Sequence, residues 1–368
     1  MNKKLIYITY QTFPAFTANS IQTVTHLSHF SKMNFDVTLI FPLRNKESDS
    51  RIKILQEFYD LNENFETIGT IHPLPFKKIN FFEKLMFIIS HFLWSYFTVS
   101  KYQKNNKESY FFTRSEWVFY FLSKRKLKVV YECHQLSKIK KTLIKRCIQN
   151  KDSRIVFLNP DMLKDLAIDE SKNIIILPSA YDENIFHNTK AKPKNTRIVY
   201  AGSLFRFGQP RGLGLFAEHL NKISNLDIEL VIATTDSKSY KFIEQIKKNN
   251  KNIRFELYSN LSRGQVSELY NNCSIGLLVN NDSIHATKFT SPLKFFEYVA
   301  TGLKVIATDN KAHKLLPYQD NIYFFDLNSS DSIEKAIKNS IESPFPNYHN
   351  IHHYSMDNRI SKLIKLFQ

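Results

Sequence analysis

At 368 residues the chain is longer than one hydrophobic core usually serves, so two domains are expected, and its 43% hydrophobic content is that of a globular protein. Three well-separated cysteines, Cys133, Cys147 and Cys273, exclude a disulfide scaffold, show no metal-ligand spacing and read as reduced thiols of a cytosolic protein. The net charge of +17, concentrated where residues 101–150 set 13 Lys and Arg against three acids, points to phosphate-bearing partners, although runs such as Lys124-Arg125-Lys126 are most often solvated faces.

In chain order, residues 5–10 read as a buried strand, too short an apolar run for a signal peptide. A polar loop with Pro14 follows, then a helix over 21–32 with Ser20 as its N-cap and Ile21, Val24, Leu27 and Phe30 on one face. Residues 35–41 form a second strand closed by Pro42, which completes a βαβ unit of a parallel sheet. Further strands are expected at 67–71, 109–113, 127–132 and 154–158, with helices between them. The first domain ends near Pro178, and the polar stretch 187–196 reads as a linker. A second βα series has strands at 197–201, 228–233, 253–257, 274–279, 303–307 and 322–325, and helices at 212–223, 238–249, 263–271, 293–301 and 332–342. A last helix over 355–367 has Ser355 as its cap. Two Rossmann-like halves in tandem imply a cleft, with ligands beyond the carboxyl ends of the strands.

The apolar segment 81–99 is marginally short for a bilayer span and is interrupted by Ser90, His91 and Ser95. Lys77, Lys78, Lys84 and Lys101 flank it. Its length favours a buried helix of the first domain; the competing reading is an interfacial helix on an anionic membrane.

Residues 290–307 carry the densest chemical signal. Pro292 stops a polar loop, an amphipathic helix follows, Gly302 ends it, and a buried strand comes next. A loop entering a helix offers free N–H groups and the positive end of a dipole to a phosphate. Lys294 and Glu297, three apart, share a helix face. A cation that reaches phosphate, beside a carboxylate that accepts from vicinal hydroxyls, suits a nucleoside diphosphate and its ribose. The same residues also describe an ordinary αβ corner with a solvated ion pair, and a short motif alone does not choose between the two.

Four other stretches do. They are Pro14-Ala15-Phe16-Thr17-Ala18-Asn19-Ser20-Ile21-Gln22-Thr23; Tyr131-Glu132-Cys133-His134; Leu177-Pro178-Ser179-Ala180-Tyr181-Asp182-Glu183-Asn184-Ile185-Phe186; and Tyr200-Ala201-Gly202-Ser203-Leu204 with Arg211-Gly212. In this order, with 290–307 last, they resemble the GT-B glycosyltransferases, and within them the large retaining family 4, over nearly the whole chain. The resemblance implies an α/β fold of the GT-B type, two Rossmann-like domains facing a central cleft. An acceptor-binding domain would span 1–186 and be joined by a C-terminal helix, 352–368, that crosses back; a nucleotide-sugar-binding domain would span 187–351. It further implies transfer of a sugar from a UDP- or GDP-sugar, with retention, to a hydroxyl of a glycan or lipid-linked acceptor. The setting would be surface polysaccharide or glycolipid synthesis, in the cytoplasm or peripherally on the inner face of the cell membrane, with no metal or other cofactor and no nucleic-acid partner.

Site roles follow from the same resemblance. Glu297 holds the donor ribose, and Thr290 and Ser291 lie in the loop whose amides meet the diphosphate. Lys294, Arg211 and Arg206 offset its charge, and Gly202 lets the backbone approach closely. His134 stands near the donor sugar and reactive phosphate; His134, Glu297 and Lys294 are the catalytic candidates. Asn19 and Ser20 face the phosphate or acceptor, and Arg114 either contacts the acceptor or pairs with an acid. The chain has no Asp-x-Asp triplet for a divalent metal, so the helix dipole and these cations are expected to balance the leaving diphosphate. Two departures stand out: Phe289 occupies the place of the first Glu of the family's E-x7-E element, and Ser203 that of a common Arg. Two further readings are a GT-B nucleotide-sugar epimerase, for which Glu132 and His134 are the one obvious acid–base cluster, and a catalytically degenerate, membrane-associated partner subunit, motivated by Phe289 and Ser203.

Overall fold

The computed structural model describes residues 3–44, 46–72, 81–168, 171–206, 208–223, 226–234, 237–281, 287 and 291–367, without the side chains of 81–84, 206, 237 and 238. The chain divides into two compact units, Met1–Pro178 with Met356–Gln368, and Ser179–Ser355.

The first unit alternates strand and helix: β1 (Lys3–Ile8), α1 (Ala18–Lys32), β2 (Phe35–Leu43), α2 (Ile52–Tyr59), β3 (Glu66–Ile71), α3 (Phe81–Tyr102), β4 (Tyr110–Thr113), α4 (Glu116–Lys124), β5 (Val129–Cys133), α5 (Lys138–Cys147), β6 (Ser153–Phe157), α6 (Pro160–Leu166) and β7 (Ile174–Ile176). The strands form one parallel sheet in the order β3-β2-β1-β4-β5-β6-β7. Leu5, Ile6, Tyr7 and Ile8 of the interior strand β1 are all buried, as an unbroken apolar run covered on both faces must be. The short β7 was not anticipated.

Two local expectations are corrected. Thr17, not Ser20, caps α1: its side chain accepts from the Ser20 N–H, and Ser20 lies buried inside the first turn. Pro42 does not close β2, which continues to Leu43 with Pro42 opposite Thr70. The pairing with β1 stops at Ile40, so a residue lacking an N–H is tolerated two positions later.

The second unit holds β8 (Thr196–Ala201), the small hairpin β9 (Phe205–Arg206) and β10 (Gln209–Pro210), α7 (Leu213–Leu220), β11 (Ile228–Thr234), α8 (Ser237–Asn249), β12 (Arg254–Ser259), α9 (Arg263–Asn271), β13 (Ile275–Leu278), α10 (Leu293–Ala300), β14 (Lys304–Thr308), β15 (Ile322–Phe325) and α11 (Ser330–Glu342). Its parallel sheet runs β12-β11-β8-β13-β14-β15. One apolar layer joins α7, α8 and α11 to the sheet, a second joins α9 and α10. Residues 179–186, expected with the first domain, pack here: Tyr181 and Phe186 enter the second layer, and Asp182 pairs with Arg263 at 2.9 Å.

The last helix, α12 (Met356–Lys365), belongs to the first unit. Ile360 and Leu363 are fully buried, Phe367 lies 4.8 Å from the Tyr110 ring, and Asp357 meets His29 Nδ1 at 2.5 Å.

Candidate functional site

Of the residues expected to hold the donor, Gly202, Arg211, Ser291, Lys294 and Glu297 lie around the start of α10. Phe295, Phe296, Tyr298 and Val299 anchor the helix in the core. It ends in a Schellman motif: Gly302, at φ 76°, donates to Val299 O, and Leu303 donates to Tyr298 O. At the other end Pro292 supplies no side-chain cap, and no described side chain caps the first-turn N–H groups.

Lys294 Nζ lies 3.7 Å from the centroid of the Tyr200 ring, a cation–π contact at the end of β8. The next turn of chain is Gly202, at φ 127°; a Cβ there would stand 3.0 Å from Lys294 Cε and 3.1 Å from Nζ. The glycine therefore makes room for this lysine. Burial, then the positive charge of Arg211, push the Lys294 ammonium well below its ordinary range, with Glu297 opposing. Burial pushes the Glu297 carboxyl up to about 7, against Arg263 and Lys294. Tyr270 donates to it at a long 3.4 Å. Arg211 donates its backbone N–H to Leu204 O at 2.8 Å, and its buried Nε has no partner among the described residues.

Ser291 is committed elsewhere. Its Oγ accepts from Ser179 N at 2.9 Å, and Ser179 Oγ donates to Ser291 O at 2.8 Å, which ties the loop before α10 to the entry of this unit. Thr290 and Phe289 lie outside the described residues, as does the side chain of Arg206. Tyr200, Tyr270 and Arg263 were not anticipated. Tyr200 was within reach of sequence reasoning, standing two residues before a glycine at a strand end; the other two carry no local signal.

In the first unit Arg114, expected on the acceptor side, and His134, expected near the donor sugar, meet at Glu132, which is fully buried on β5. Its Oε1 accepts from Arg114 Nη2 at 2.5 Å and faces His134 Nε2 at 2.6 Å; its Oε2 accepts from Arg359 Nη2 at 2.9 Å. Burial pushes this carboxyl up, but Arg114 and then Arg359 hold it well below its ordinary range. Of the two roles open to Arg114, the structure gives it the pairing with an acid: it is buried, and Nη1 donates to Asn19 O at 3.1 Å. Ser20 turns its hydroxyl inward to Thr12 O and Thr17, while Asn19 is exposed. His134 remains part-exposed; burial, then Arg114, bring its imidazole down to about 4, against Glu132. His26 on α1 is buried beside this cluster, with neither ring nitrogen bonded to a described residue.

Residues 195–343 match the family model described as Glycosyl transferases group 1. No curated protein sequence matches the chain. Among solved structures, sucrose-phosphate synthase from Thermosynechococcus elongatus is 12% identical with a TM-score of 0.66, covering 99% of this chain and 98% of its own. WaaG, a glycosyltransferase involved in lipopolysaccharide biosynthesis, is 15% identical with a TM-score of 0.60, covering 98% and 99%. The UDP-GlcNAc 2-epimerase from Methanocaldococcus jannaschii is 13% identical with a TM-score of 0.58, covering 98% and 99%. At such identities likeness shows the fold, which transferase and epimerase share. The chain thus has the two-unit α/β architecture of GT-B glycosyltransferase structures, and its second unit is similar to the glycosyl transferases of group 1.

Proposed function

We propose that the protein is a glycosyltransferase that moves a sugar from a nucleotide-diphosphate sugar to an acceptor hydroxyl, with retention of configuration. The observation that carries this reading is the half-buried Lys294 packed on Tyr200 and Gly202 at the uncapped start of α10, with Glu297 one turn along and Arg211 near enough to shift the lysine. An anion arriving at that helix start meets unpaired N–H groups, the dipole and two cations; a ribose beside it meets a carboxylate. These groups stabilise the charge that gathers on the leaving diphosphate, and no metal is required of them. A same-face displacement, in which the leaving phosphate takes the acceptor's proton, needs no enzymic nucleophile.

The group 1 match in the second unit supports a nucleotide-sugar donor. Glu132 argues against the epimerase reading: a buried carboxylate held by two guanidiniums and an imidazole is poorly placed to exchange protons with a substrate.

A lipid-linked acceptor at an anionic membrane is favoured by α3. This helix turns Ser90, His91, Ser95 and Thr98 inward and leaves Leu85, Ile88, Ile89, Phe92, Tyr96 and Phe97 exposed. It is therefore not the buried helix its length suggested. No helix among the described residues is long and apolar enough to cross a membrane. An apolar outer face with Lys101 at its end, packed on α4 beside the lysine-rich α5, suits a helix lying in the headgroup region.

Thermal-shift titration with UDP, GDP, ADP and CMP tests the donor site. One nucleoside diphosphate should raise the unfolding temperature of the wild type and not that of Glu297→Ala, and the shift should persist in EDTA. No shift with any nucleotide would overturn the donor assignment and favour a degenerate partner subunit.

A further inference from the structure

Arg359 has no part in the chemistry above, yet it is only 3% exposed on a helix whose Met356, Ile360 and Leu363 form the apolar contact. An apolar residue would hold α12 in place with less desolvation. The arginine donates from Nη2 to Glu132 Oε2 at 2.9 Å and to Leu177 O at 3.5 Å, while Nε and Nη1 are buried with no described partner. By occupying Oε2 it leaves Arg114 and His134 to share Oε1.

The charged and titratable groups facing His134 are Glu132 on β5, Arg114 after β4, Arg359 on α12 and His26 on α1. A carboxylate oxygen only accepts, so the Nε2 that faces it at 2.6 Å carries the hydrogen. Burial and the cations keep the ring neutral near pH 7. A neutral imidazole with hydrogen on Nε2 has a lone pair on Nδ1, here on a side chain 23% exposed and with no described partner for that atom.

We propose that Arg359 is a positioning residue: by taking Oε2 of Glu132 it fixes His134 as the neutral Nε2–H tautomer, whose Nδ1 accepts a hydrogen bond from a substrate hydroxyl. The hydrogen on Nε2 stands on the 2.6 Å contact with Glu132, and the neutral ring on its burial beside two arginines; only the identity of the substrate, a sugar donor or its acceptor, rests on the transferase reading. A neutral acceptor recognises hydroxyl hydrogen and contributes nothing to phosphate neutralisation, so the task of His134 is distinct from that of Lys294.

The test is nitrogen-15 NMR of the full-length chain labelled at histidine, with the His134 signals assigned by His134→Gln. The wild type should show Nε2–H and an unprotonated Nδ1 between pH 5.5 and 8. Arg359→Met should raise the pKa of the ring and mix its tautomers, and Arg359→Lys should keep the wild-type tautomer. Turnover of a sugar nucleotide carrying the base found by thermal shift should fall about tenfold to hundredfold in kcat for Arg359→Met, the scale on which partners that orient a reactive imidazole act, with donor KM within about twofold. Arg359→Lys should restore most of it. Should Arg359→Met fail to fold, Arg359→Gln keeps a donor to Oε2 without the charge, and the ring's pKa must still rise. An Nδ1–H tautomer in the wild type, an unmoved ring in a folded Met or Gln variant, or an unchanged kcat would each overturn the proposal. The NMR arm needs no substrate, so failure of the transferase reading appears in the nucleotide titration and failure of the positioning role in the spectrum.

Discussion

Glu297 carries a pH-dependent strain in the proposed donor site. Its carboxyl ionises near 7 in the fold, against about 4.5 when unfolded, so the folded state binds the proton more tightly. The stability it contributes is full below about 4.5 and is lost as pH rises through 7. Glu297→Gln should therefore unfold at a higher temperature than the wild type at pH 8, by roughly 3 kcal/mol at most, with the gap closing toward pH 5. A gap of equal size at both pH values would show that burial, not ionisation, sets the difference. Gly202→Ala is expected to cost about 1 to 3 kcal/mol, because φ of 127° disfavours any side chain, and to displace Lys294. Its signature is a lost nucleotide response in a protein that still folds; an intact response would detach the lysine from the donor. At this scale the sequence showed Lys294, Glu297, Gly202 and Arg211 because they fall in short local patterns. It did not show the partners that set their chemistry. Tyr200 and Tyr270 reach the pair from different elements, and Glu132 meets Arg359 across 227 positions.

Helix α3 buries Ser90, His91, Ser95 and Thr98 together with Trp94 and Val99, and leaves Ile88, Ile89, Tyr96 and Phe97 outside. On the inner face Ser90 Oγ meets His72 Nε2 at 2.7 Å, His91 Nε2 meets Ser115 Oγ at 2.6 Å, and Trp94 Nε1 donates to Thr70 Oγ1 at 2.8 Å, while buried Ser95 Oγ has no partner among the described residues. Those bonds fix which face points out. The double substitution Ile88→Glu and Phe97→Glu should leave the fold intact and abolish co-flotation with vesicles containing phosphatidylglycerol. Each exposed side chain is worth roughly 1.5 to 3 kcal/mol when buried in an apolar phase, so partitioning should weaken at least tenfold. Wild-type protein that stays unbound at low salt would sink the membrane reading. The periodicity of 81–99 announced a helix but not its orientation, because apolar residues occur all round it and the deciding bonds come from Thr70, His72 and Ser115. Helix and strand identities elsewhere were legible wherever apolar runs were flanked by Pro, Gly or polar loops. The N-cap of α1 was not: Thr17 and Ser20 are both good caps, and only the backbone turn selects between them.

On the scale of the whole chain, the first unit is completed by its last thirteen residues. Met356, Ile360, Leu363 and Phe367 are all buried there, together on the order of 6 to 12 kcal/mol of apolar contact, which is as much as a domain's entire net stability. Deleting 356–368 should abolish the calorimetric transition of the first unit and leave that of the second; two unchanged transitions would show that α12 is dispensable. The alternation of strands and helices made two parallel-sheet units readable from sequence, and the return of the final helix was implied by resemblance alone. The boundary at Pro178 was harder to place, since residues 179–186 look like an exit from the first domain until Tyr181 and Phe186 are seen in the core of the second. The same segment leads to a practical outcome. Tyr181 N donates to Tyr354 O at 3.1 Å, and Tyr181 bridges Ser355, so the two ends of the second unit are zipped together. In chain terms the second unit is a cassette inserted into a host. Excised as 179–355, it keeps its two ends already paired.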